Sequence, residues 1–260
     1  MDGLIALTSV SVVAPFPSKF LAKAAFLAAF VYSGVVHATS CPSPRTLSPP
    51  IKVDRVIDGD TVKLADDTRV RLTGFNTFEL KDSGWKKQYA QRAKGRVRDL
   101  LPQTVQITPW PAKTDRYGRL LGNLWLGSSY LAESLVAEGL AITVSIPPEN
   151  RLVSCLFDYE REARLQKRGV WSLGQLPEPA NALSRGGFQL RRGTVTHILD
   201  NQSVVLDGRL RVVHSRDDPA FQLGARFEVR GWVSRSPKSI RRDWPWTLKL
   251  KDSKNRIRAF

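Results

Sequence analysis

The stretch from Ile51 to Glu79 indicates the fold most clearly and reads IKVDRVIDGDTVKLADDTRVRLTGFNTFE. Apolar and polar residues alternate on both sides of Asp58-Gly59-Asp60-Thr61 and again up to Phe75. Such alternation around an Asp-Gly pair is typical of short antiparallel strands that are joined by tight turns. We therefore expect a β-meander to open the folded part of the chain.

The residues that follow predict further strands and helices. Periodicity indicates strands at 104–108 and 119–126 and helices at 85–101, 128–139 and 148–169. Ser128 or Ser129 is a candidate N-cap for the second helix, which Gly139 would end. Five short strands with three helices are typical of an OB-like barrel with added helices. We therefore predict that residues 51–173 form an α+β domain of this kind.

The C-terminal part has a different pattern. From Phe188 to the end, short alternating segments occur without a helical stretch, which predicts a small all-β domain of the OB type. Residues 174–187 mix Pro, Gly, Ser and Ala, and we expect them to form a linker.

Composition limits the function classes. The chain has 260 residues, a net charge of +16 and 42% hydrophobic residues, which argues against extended disorder, a collagen-like fibre and a polytopic membrane protein. An excess of this size predicts a polyanionic partner, with nucleic acid first. Residues 188–260 contain 16 basic and 7 acidic side chains, hence +9, so the C-terminal module is the most basic part.

The N-terminus resembles a secretory signal peptide over residues 1–38. Lys19 and Lys23 precede an apolar stretch at 24–36, and Val36-His37-Ala38 is a small-residue cleavage pattern. The apolar stretch is shorter than the roughly 20 residues needed to span a bilayer. We expect export to the periplasm or the extracellular space, with an uncleaved membrane anchor as the alternative, and a leader or linker at 39–50.

The chain contains two cysteines, Cys41 and Cys155. Export would permit a disulfide between them, which would pin the mature N-terminus to the third predicted helix. The alternatives are a buried thiol at Cys155 and a lipidated Cys41.

Several polar residues are candidates for chemistry. Asp58 and Asp60 place two carboxylates at a turn, where hard oxygens suit a divalent cation such as Ca²⁺, although an Asp-Gly turn alone is common. The Arg71–Glu79 stretch adds Asn76, the Thr77 carbonyl and a further acid. Asp115-Arg116-Tyr117-Gly118-Arg119 then offers two guanidinium groups, which hold phosphate oxygens well.

The order of these motifs resembles the staphylococcal nuclease (thermonuclease) family over residues 51–172. Asp58–Thr61, Arg71–Glu79 and Asp115–Arg119 are followed by Leu135-Val136-Ala137-Glu138-Gly139-Leu140-Ala141 and by Gly169-Val170-Trp171. The resemblance implies a Ca²⁺-dependent nuclease that cleaves DNA and RNA with little sequence preference and leaves a 3′-phosphate.

The resemblance also implies roles by position. Arg71, Glu79 and Arg119 match catalytic residues, with the two arginines on the scissile phosphate and Glu79 as the general base for water. Asp60, Asn76, Thr77 and Asp58 match the metal site. Arg116, Tyr117 and Lys113 fall where the family binds the nucleotide.

Two departures from the family pattern matter. Asn76 stands where an aspartate ligand is usual, which removes one negative charge and predicts a higher Ca²⁺ requirement. Phe78 stands where proline is usual, so the loop that aims Glu79 would be less rigid. The alternative function is a non-catalytic nucleic-acid-binding protein on the same fold.

In the C-terminal module, arginines and lysines are interleaved with Phe221, Trp232, Trp244 and Trp246. Exposed rings among basic residues are what single-strand-binding platforms use, so this module is expected to aid nucleic-acid binding. The alternative is that the tryptophans form its core.

Overall fold

The Asp58-Gly59-Asp60 turn is the first connection of a closed barrel in the computed structural model, which describes residues 41–44, 46–148 and 151–259. The strands of this part are β1 (Ile51–Asp58), β2 (Thr61–Leu64), β3 (Arg69–Leu72), β4 (Phe75–Asn76), β5 (Thr104–Thr114), β6 (Leu120–Leu126), β7 (Ser129–Tyr130) and β8 (Ile142–Thr143). The sheet order β1-β2-β3-β6-β5 returns to β1, because β3 pairs in parallel with β6 and β5 pairs with β1. The predicted five-stranded OB-like barrel is confirmed.

Three α-helices accompany the barrel: α1 (Gly84–Leu100), α2 (Leu131–Ala137) and α3 (Arg151–Leu165). The predicted N-cap at Ser128 or Ser129 is wrong, because Ser129 pairs with Leu126 in β7 and α2 begins after Tyr130. Ser129 therefore belongs to β7, the short strand that pairs with β6, although its side chain favours a helix N-cap. The third helix is shorter than predicted, and a 3-10 turn at Gly169–Leu173 follows it.

The C-terminal part contains β9 (Glu178–Pro179), β10 (Gly187–Asp200), β11 (Ser203–Leu206), β12 (Leu210–Val213), β13 (Arg226–Arg235), β14 (Trp246–Lys249) and β15 (Arg256–Ala259). The order β10-β11-β12-β14-β13 closes on β10, with β12 and β14 parallel. The expected small β-domain is thus a second closed five-stranded barrel.

The second barrel repeats the connectivity of the first. The first hairpin of each barrel, β1–β2 and β10–β11, has register irregularities at equivalent places. The pair of Asp58 with Thr61 therefore corresponds to the pair of Asp200 with Ser203. In this alignment Gln202 stands at the position of Asp60, and Val213, opposite Ser203, stands at the position of Arg71. The second barrel therefore has the architecture of the first without its acid and arginine.

Some of the aromatic and basic residues expected on a binding platform are instead buried. Phe221 and Trp246 belong to the core of the second barrel, and Arg191 and Arg230 are buried as well. The alternative of tryptophans in the core is correct for Trp246, whereas Trp232 remains 40% exposed.

A buried ionic network joins the two barrels. Arg230 of β13 is fully buried and donates through Nη1 to Glu160 of α3 at 2.8 Å and to the Thr143 carbonyl of β8 at 2.9 Å. Arg164 of α3 donates to both carboxylate oxygens of Glu228, at 2.8 and 2.7 Å. Paired and hydrogen-bonded charges tolerate burial that isolated charges do not, so the network fixes one barrel on the other.

The segments predicted as leader and linker also pack on the barrels. The Ser48 amide donates to the Ile107 carbonyl of β5 at 2.9 Å. Residues 174–187 contain β9 and a 3-10 turn. Within them, Glu178 forms an ion pair with Lys86 of α1, with 2.6 Å between the carboxylate oxygen and Nζ.

A disulfide joins Cys41 to Cys155 of α3, with 5.5 Å between the Cα atoms. The predicted signal peptide at 1–38 lies outside the described residues. Among the residues that are described, no helix has the length and apolar character needed to cross a bilayer.

Candidate active site

Asp60 lies at the end of the first hairpin turn of the nuclease-like barrel and is 6% exposed. Gly59 makes this position possible, since a Cβ on Gly59 would stand 2.7 Å from both Ala93 of α1 and the Thr77 methyl group. The Asp-Gly pair is therefore more than a hairpin signal. Glycine allows the turn to pack beneath α1 and brings Asp60 against the loop after β4.

The Asp60 carboxylate is held by several donors. Its Oδ2 atom accepts from the Thr77 amide at 3.1 Å and from the Thr77 hydroxyl at 3.2 Å, and it forms an ion pair with Arg71. Its Oδ1 atom accepts from the Thr61 hydroxyl at 3.1 Å. The turn and the Arg71–Glu79 stretch thus meet at one carboxylate.

Arg71 joins the carboxylate to the amide of Asn76. The Arg71 Nη2 atom donates to Asn76 Oδ1 at 2.7 Å, and Asn76 Nδ2 donates to the Thr77 carbonyl at 2.5 Å. Three predicted metal ligands, Asp60, Asn76 and Thr77, are therefore in direct contact with one another or with Arg71.

Asp58 completes the acidic turn. Burial and the neighbouring Asp60 carboxylate raise the pKa of Asp58 to about 6. Two carboxylates pressed together in a partly buried turn, beside an amide oxygen and a backbone carbonyl, are a donor set that a hard divalent cation prefers. Among the described residues no third acid, histidine or cysteine joins this pair as a close cluster, so amide and carbonyl oxygens would supply the remaining ligands.

Arg119 reaches the same turn from the other side of the site. Its Nη1 atom donates to the Thr61 hydroxyl at 3.3 Å, and its Nε atom donates to Asp115 at 2.8 Å. Burial favours protonation of Asp115, but the Arg119 and Tyr117 amides and the Arg119 guanidinium outweigh it and hold the pKa of Asp115 below its ordinary value. An ionised Asp115 therefore orients Arg119, a role that the sequence did not assign to it.

Two of the three predicted nucleotide-binding residues, Arg116 and Tyr117, lie on the turn before β6. Arg116 stacks 4.8 Å from the centre of the Tyr117 ring and donates to its hydroxyl at 2.6 Å. Tyr117 is 67% exposed, so this ring is available to a ligand. Lys113 lies in β5, and its side chain is outside the described residues.

Glu79 lies on the loop that follows β4. Its side chain is 56% exposed and its carboxylate lies 4.0 Å from Lys81 Nζ, while its amide donates to Asp82 at 3.1 Å. The loop around it is anchored, because Phe78 packs edge-on against Trp85 with 5.0 Å between ring centres. The sequence predicts a less rigid loop here because Phe78 replaces the usual proline, and the ring contact with Trp85 anchors the loop at that same residue.

Two cavities border the site. A cavity of about 480 Å³ is lined by Arg71, Arg119, Arg116 and Tyr117, together with Trp232 and Lys251 of the second barrel. A smaller cavity of about 120 Å³ is lined by Asn76, Thr77 and Glu79 and by Phe188 of β10. The arginines and the general-base candidate therefore line different cavities, and the two residues of β4 line one each, Phe75 the larger and Asn76 the smaller.

A wall from the second barrel was not predicted. The sequence identifies Trp232 as one of several rings among basic residues, but no sequence signal places it or Lys251 beside the arginines. Their position depends on the buried ion pairs between the barrels, which involve residues far apart in the chain.

Comparison with known proteins matches this site to one family. The model of the Staphylococcal nuclease homologue family matches residues 69–173. A thermonuclease of Staphylococcus intermedius is 33% identical over 124 residues, which are 46% of this chain and 74% of that protein. The chain belongs to the staphylococcal nuclease family. The family resemblance seen in the sequence is thereby confirmed.

Other relatives agree with this assignment. A thermonuclease of Staphylococcus hyicus is 32% identical over 126 residues, which cover 46% of this chain and 75% of that protein. A micrococcal nuclease of Shigella flexneri is 29% identical over 141 residues, which cover 49% and 76%. The chain is accordingly an enzyme that hydrolyses phosphodiester bonds, in a family of metal-dependent nucleases, rather than a non-catalytic binding protein.

Proposed function

We propose that this protein is an exported, Ca²⁺-dependent nuclease that cleaves both DNA and RNA with low sequence specificity. The observation that carries the proposal is the convergence of both arginines on the acidic turn. Arg71 pairs with Asp60 directly, and Arg119 reaches it through the Thr61 hydroxyl. Both arginines line the cavity of about 480 Å³, so a phosphodiester group in it would meet two guanidinium groups.

The two arginines would bind the scissile phosphate. A guanidinium group is planar and permanently charged, and it matches two phosphate oxygens at once. Charge builds up on these oxygens during hydrolysis, and fixed cations stabilise it without reorganising. Asp115 keeps Arg119 oriented, because its Oδ2 atom accepts a hydrogen bond from Arg119 Nε and forms an ion pair with Nη2 at 2.8 Å.

Asp60, Asn76, Thr77 and Asp58 would hold Ca²⁺ through carboxylate, amide and carbonyl oxygens. The bound cation would supply positive charge next to the phosphate that the arginines hold. Arg71 now donates to Asn76 Oδ1 and pairs with Asp60, so it satisfies the same oxygens that would serve the metal.

Glu79 would act as the general base. It would take a proton from the attacking water as the water oxygen bonds to phosphorus, and the bond to the leaving oxygen breaks. Its position two residues after Thr77, on a loop that Phe78 anchors, supports this role. Its exposure leaves the carboxylate free to turn toward bound substrate. Arg116, Tyr117 and Lys113 would bind the nucleotide next to the cleaved bond.

Export is supported by the disulfide. A bridge between Cys41 and Cys155 needs an oxidising compartment, such as the periplasm or the extracellular space. The signal-peptide pattern in residues 1–38 supports the same location.

Digestion of plasmid DNA and of RNA by the purified protein tests this proposal. We expect both substrates to be degraded with Ca²⁺ and neither with a chelator. Degradation that continues unchanged in excess chelator would contradict the proposed Ca²⁺ dependence.

A further inference from the structure

The larger cavity has one wall from each barrel. The nuclease barrel contributes Arg71, Arg116 and Arg119, and the second barrel contributes Trp232 and Lys251. Asp115 is the acid in this lining, and it is already paired with Arg119. The cavity therefore has a net positive charge and a large aromatic ring at one side.

Trp232 is exposed but held in place. Its side chain is 40% exposed, although an indole group of this size is usually mostly buried. Phe188 lies directly across from it on β10 and packs edge-on against its ring, with 5.4 Å between ring centres. Phe188 thus packs against the indole, and Trp232 also lines the cavity.

The position of Trp232 relative to the catalytic arginines is fixed by the network between the barrels. Arg230 lies two residues before Trp232 on β13 and donates to the Thr143 carbonyl at 2.9 Å. Thr143 pairs with Phe75 in the ladder that also pairs Ile142 with Asn76. A buried arginine therefore connects the strand of Trp232 to the strand of a candidate metal ligand.

Lys251 adds a positive charge to the lining of the same cavity. It follows β14 directly after Leu250, whose amide donates to the Val213 carbonyl at 2.8 Å. Within the described part of the chain, Lys251 forms no ion pair with an acid. Its ammonium group is exposed and available to an anion.

We propose that Trp232 and Lys251 form a nucleotide-binding subsite for single-stranded DNA or RNA, on a wall that the second barrel adds to the nuclease site. The indole stacks on a base that flanks the cleaved phosphodiester, and Lys251 pairs with a neighbouring phosphate. A ring stacked on a base contributes affinity with little sequence preference, since every base has a π-face. The subsite rests on the proposed function, because it extends the same cavity.

Binding of a short labelled single-stranded oligodeoxynucleotide, measured by fluorescence anisotropy in chelator so that no cleavage occurs, tests the subsite. We expect Trp232→Ala to raise Kd roughly tenfold, within the range that one base–aromatic stack contributes. Trp232→Phe keeps a ring and should retain most of the affinity. An abasic oligonucleotide with the same number of phosphates should bind wild type and Trp232→Ala equally.

Trp244→Ala is the matched control, because Trp244 belongs to the same barrel but lines a different cavity with Arg211 and Pro237. We expect its Kd to equal that of wild type. Lys251→Ala should lower the dependence of log Kd on log salt by about 0.7, the value for one phosphate contact on a single strand, whereas Lys238→Ala should not. Thermal unfolding of each variant verifies that the barrels remain folded.

The outcomes separate this subsite from the proposed nuclease activity. If wild type cleaves with Ca²⁺ but Trp232→Ala and Trp232→Phe both bind like wild type, the subsite is wrong and the proposed function stands. An equal loss for normal and abasic strands would also overturn base stacking. If affinity depends on Trp232 as expected and Ca²⁺ supports no cleavage, the subsite stands and the proposed function fails.

Discussion

Arg71 donates through Nη2 to the side-chain oxygen of Asn76 at 2.7 Å. The same guanidinium group pairs with Asp60, so one arginine holds a carboxylate and an amide together in the candidate metal site. An aspartate in place of Asn76 would leave this cluster with one more negative charge, and the affinity of oxygen sites for Ca²⁺ depends on their charge.

Asn76→Asp should therefore lower the Ca²⁺ concentration needed for half-maximal cleavage. Asn76→Ala, which removes the oxygen, should raise it. Titration of the cleavage rate with Ca²⁺ measures both. If the three proteins share one Ca²⁺ requirement, Asn76 is not a ligand.

Arg119→Ala and Arg116→Ala should have different kinetic effects. Arg119 is held by Asp115 and reaches the acidic turn, so its loss should lower kcat by roughly 10²- to 10³-fold, as for removal of one preorganised transition-state donor. Arg116 is exposed and stacks on Tyr117, so its loss should mainly raise KM. Steady-state kinetics on an oligonucleotide measures both effects. If Arg119→Ala has the kcat of wild type, Arg119 does not stabilise the transition state.

The buried network between the barrels predicts an acid-sensitive fold. Burial raises the pKa of Glu228, but the hydrogen bonds from Arg164 and the charge of Arg230 outweigh this effect and hold the pKa below its ordinary value of 4.5. A lowered pKa in the folded state means that the stabilisation is complete above about pH 4.5 and is lost as the pH falls through the folded-state value.

Glu228→Gln should lower the free energy of unfolding at pH 7 by roughly 3 kcal/mol, because it leaves buried arginines with less compensation. It should also reduce the loss of stability between pH 5 and pH 3. Urea unfolding at each pH measures both quantities. An identical acid-induced loss in wild type and variant would show that Glu228 is not responsible.

The disulfide should contribute substantially to stability. It joins residues 114 apart in the chain, and closing a loop of this length corresponds to about 4 to 5 kcal/mol in the chain-entropy model. The double variant Cys41→Ala with Cys155→Ala should be destabilised to that extent and should not respond to reductant. Reductant should lower the stability of the wild-type protein to that of the variant. Mass spectrometry of the wild-type chain provides the control, since a mass that corresponds to two free thiols would rule out the disulfide.

The first barrel was predictable because its motifs are local. Asp58–Thr61, Arg71–Glu79 and Asp115–Arg119 each occupy one turn or loop, and the barrel brings these turns together around Asp60 and Thr61. The close approach of Gly59 to α1 is a tertiary effect, and an Asp-Gly pair in isolation indicates only a turn.

The β-strands of the second barrel were predictable from the sequence, but the way in which this barrel packs on the first was not. Arginines such as Arg164 and Arg230 are ordinarily solvent-exposed, and only their partners Glu228 and Glu160 make their burial favourable. Since these partners are remote in sequence, neither the packing of the barrels nor the wall formed by Trp232 followed from the pattern. The misplaced N-cap at Ser129 has a similar cause, because pairing with β6 prevails over the local capping preference.

In the proposed mechanism, Glu79 activates water for attack on a phosphate that Arg71 and Arg119 hold. Glu79→Gln tests it most directly, since the side chain is exposed and the substitution keeps its size while removing the base. Single-turnover cleavage of a labelled oligonucleotide with Ca²⁺, with binding measured in parallel, should show wild-type affinity and a rate lower by roughly 10²- to 10⁴-fold. A rate equal to that of wild type at equal affinity would contradict this account of the site.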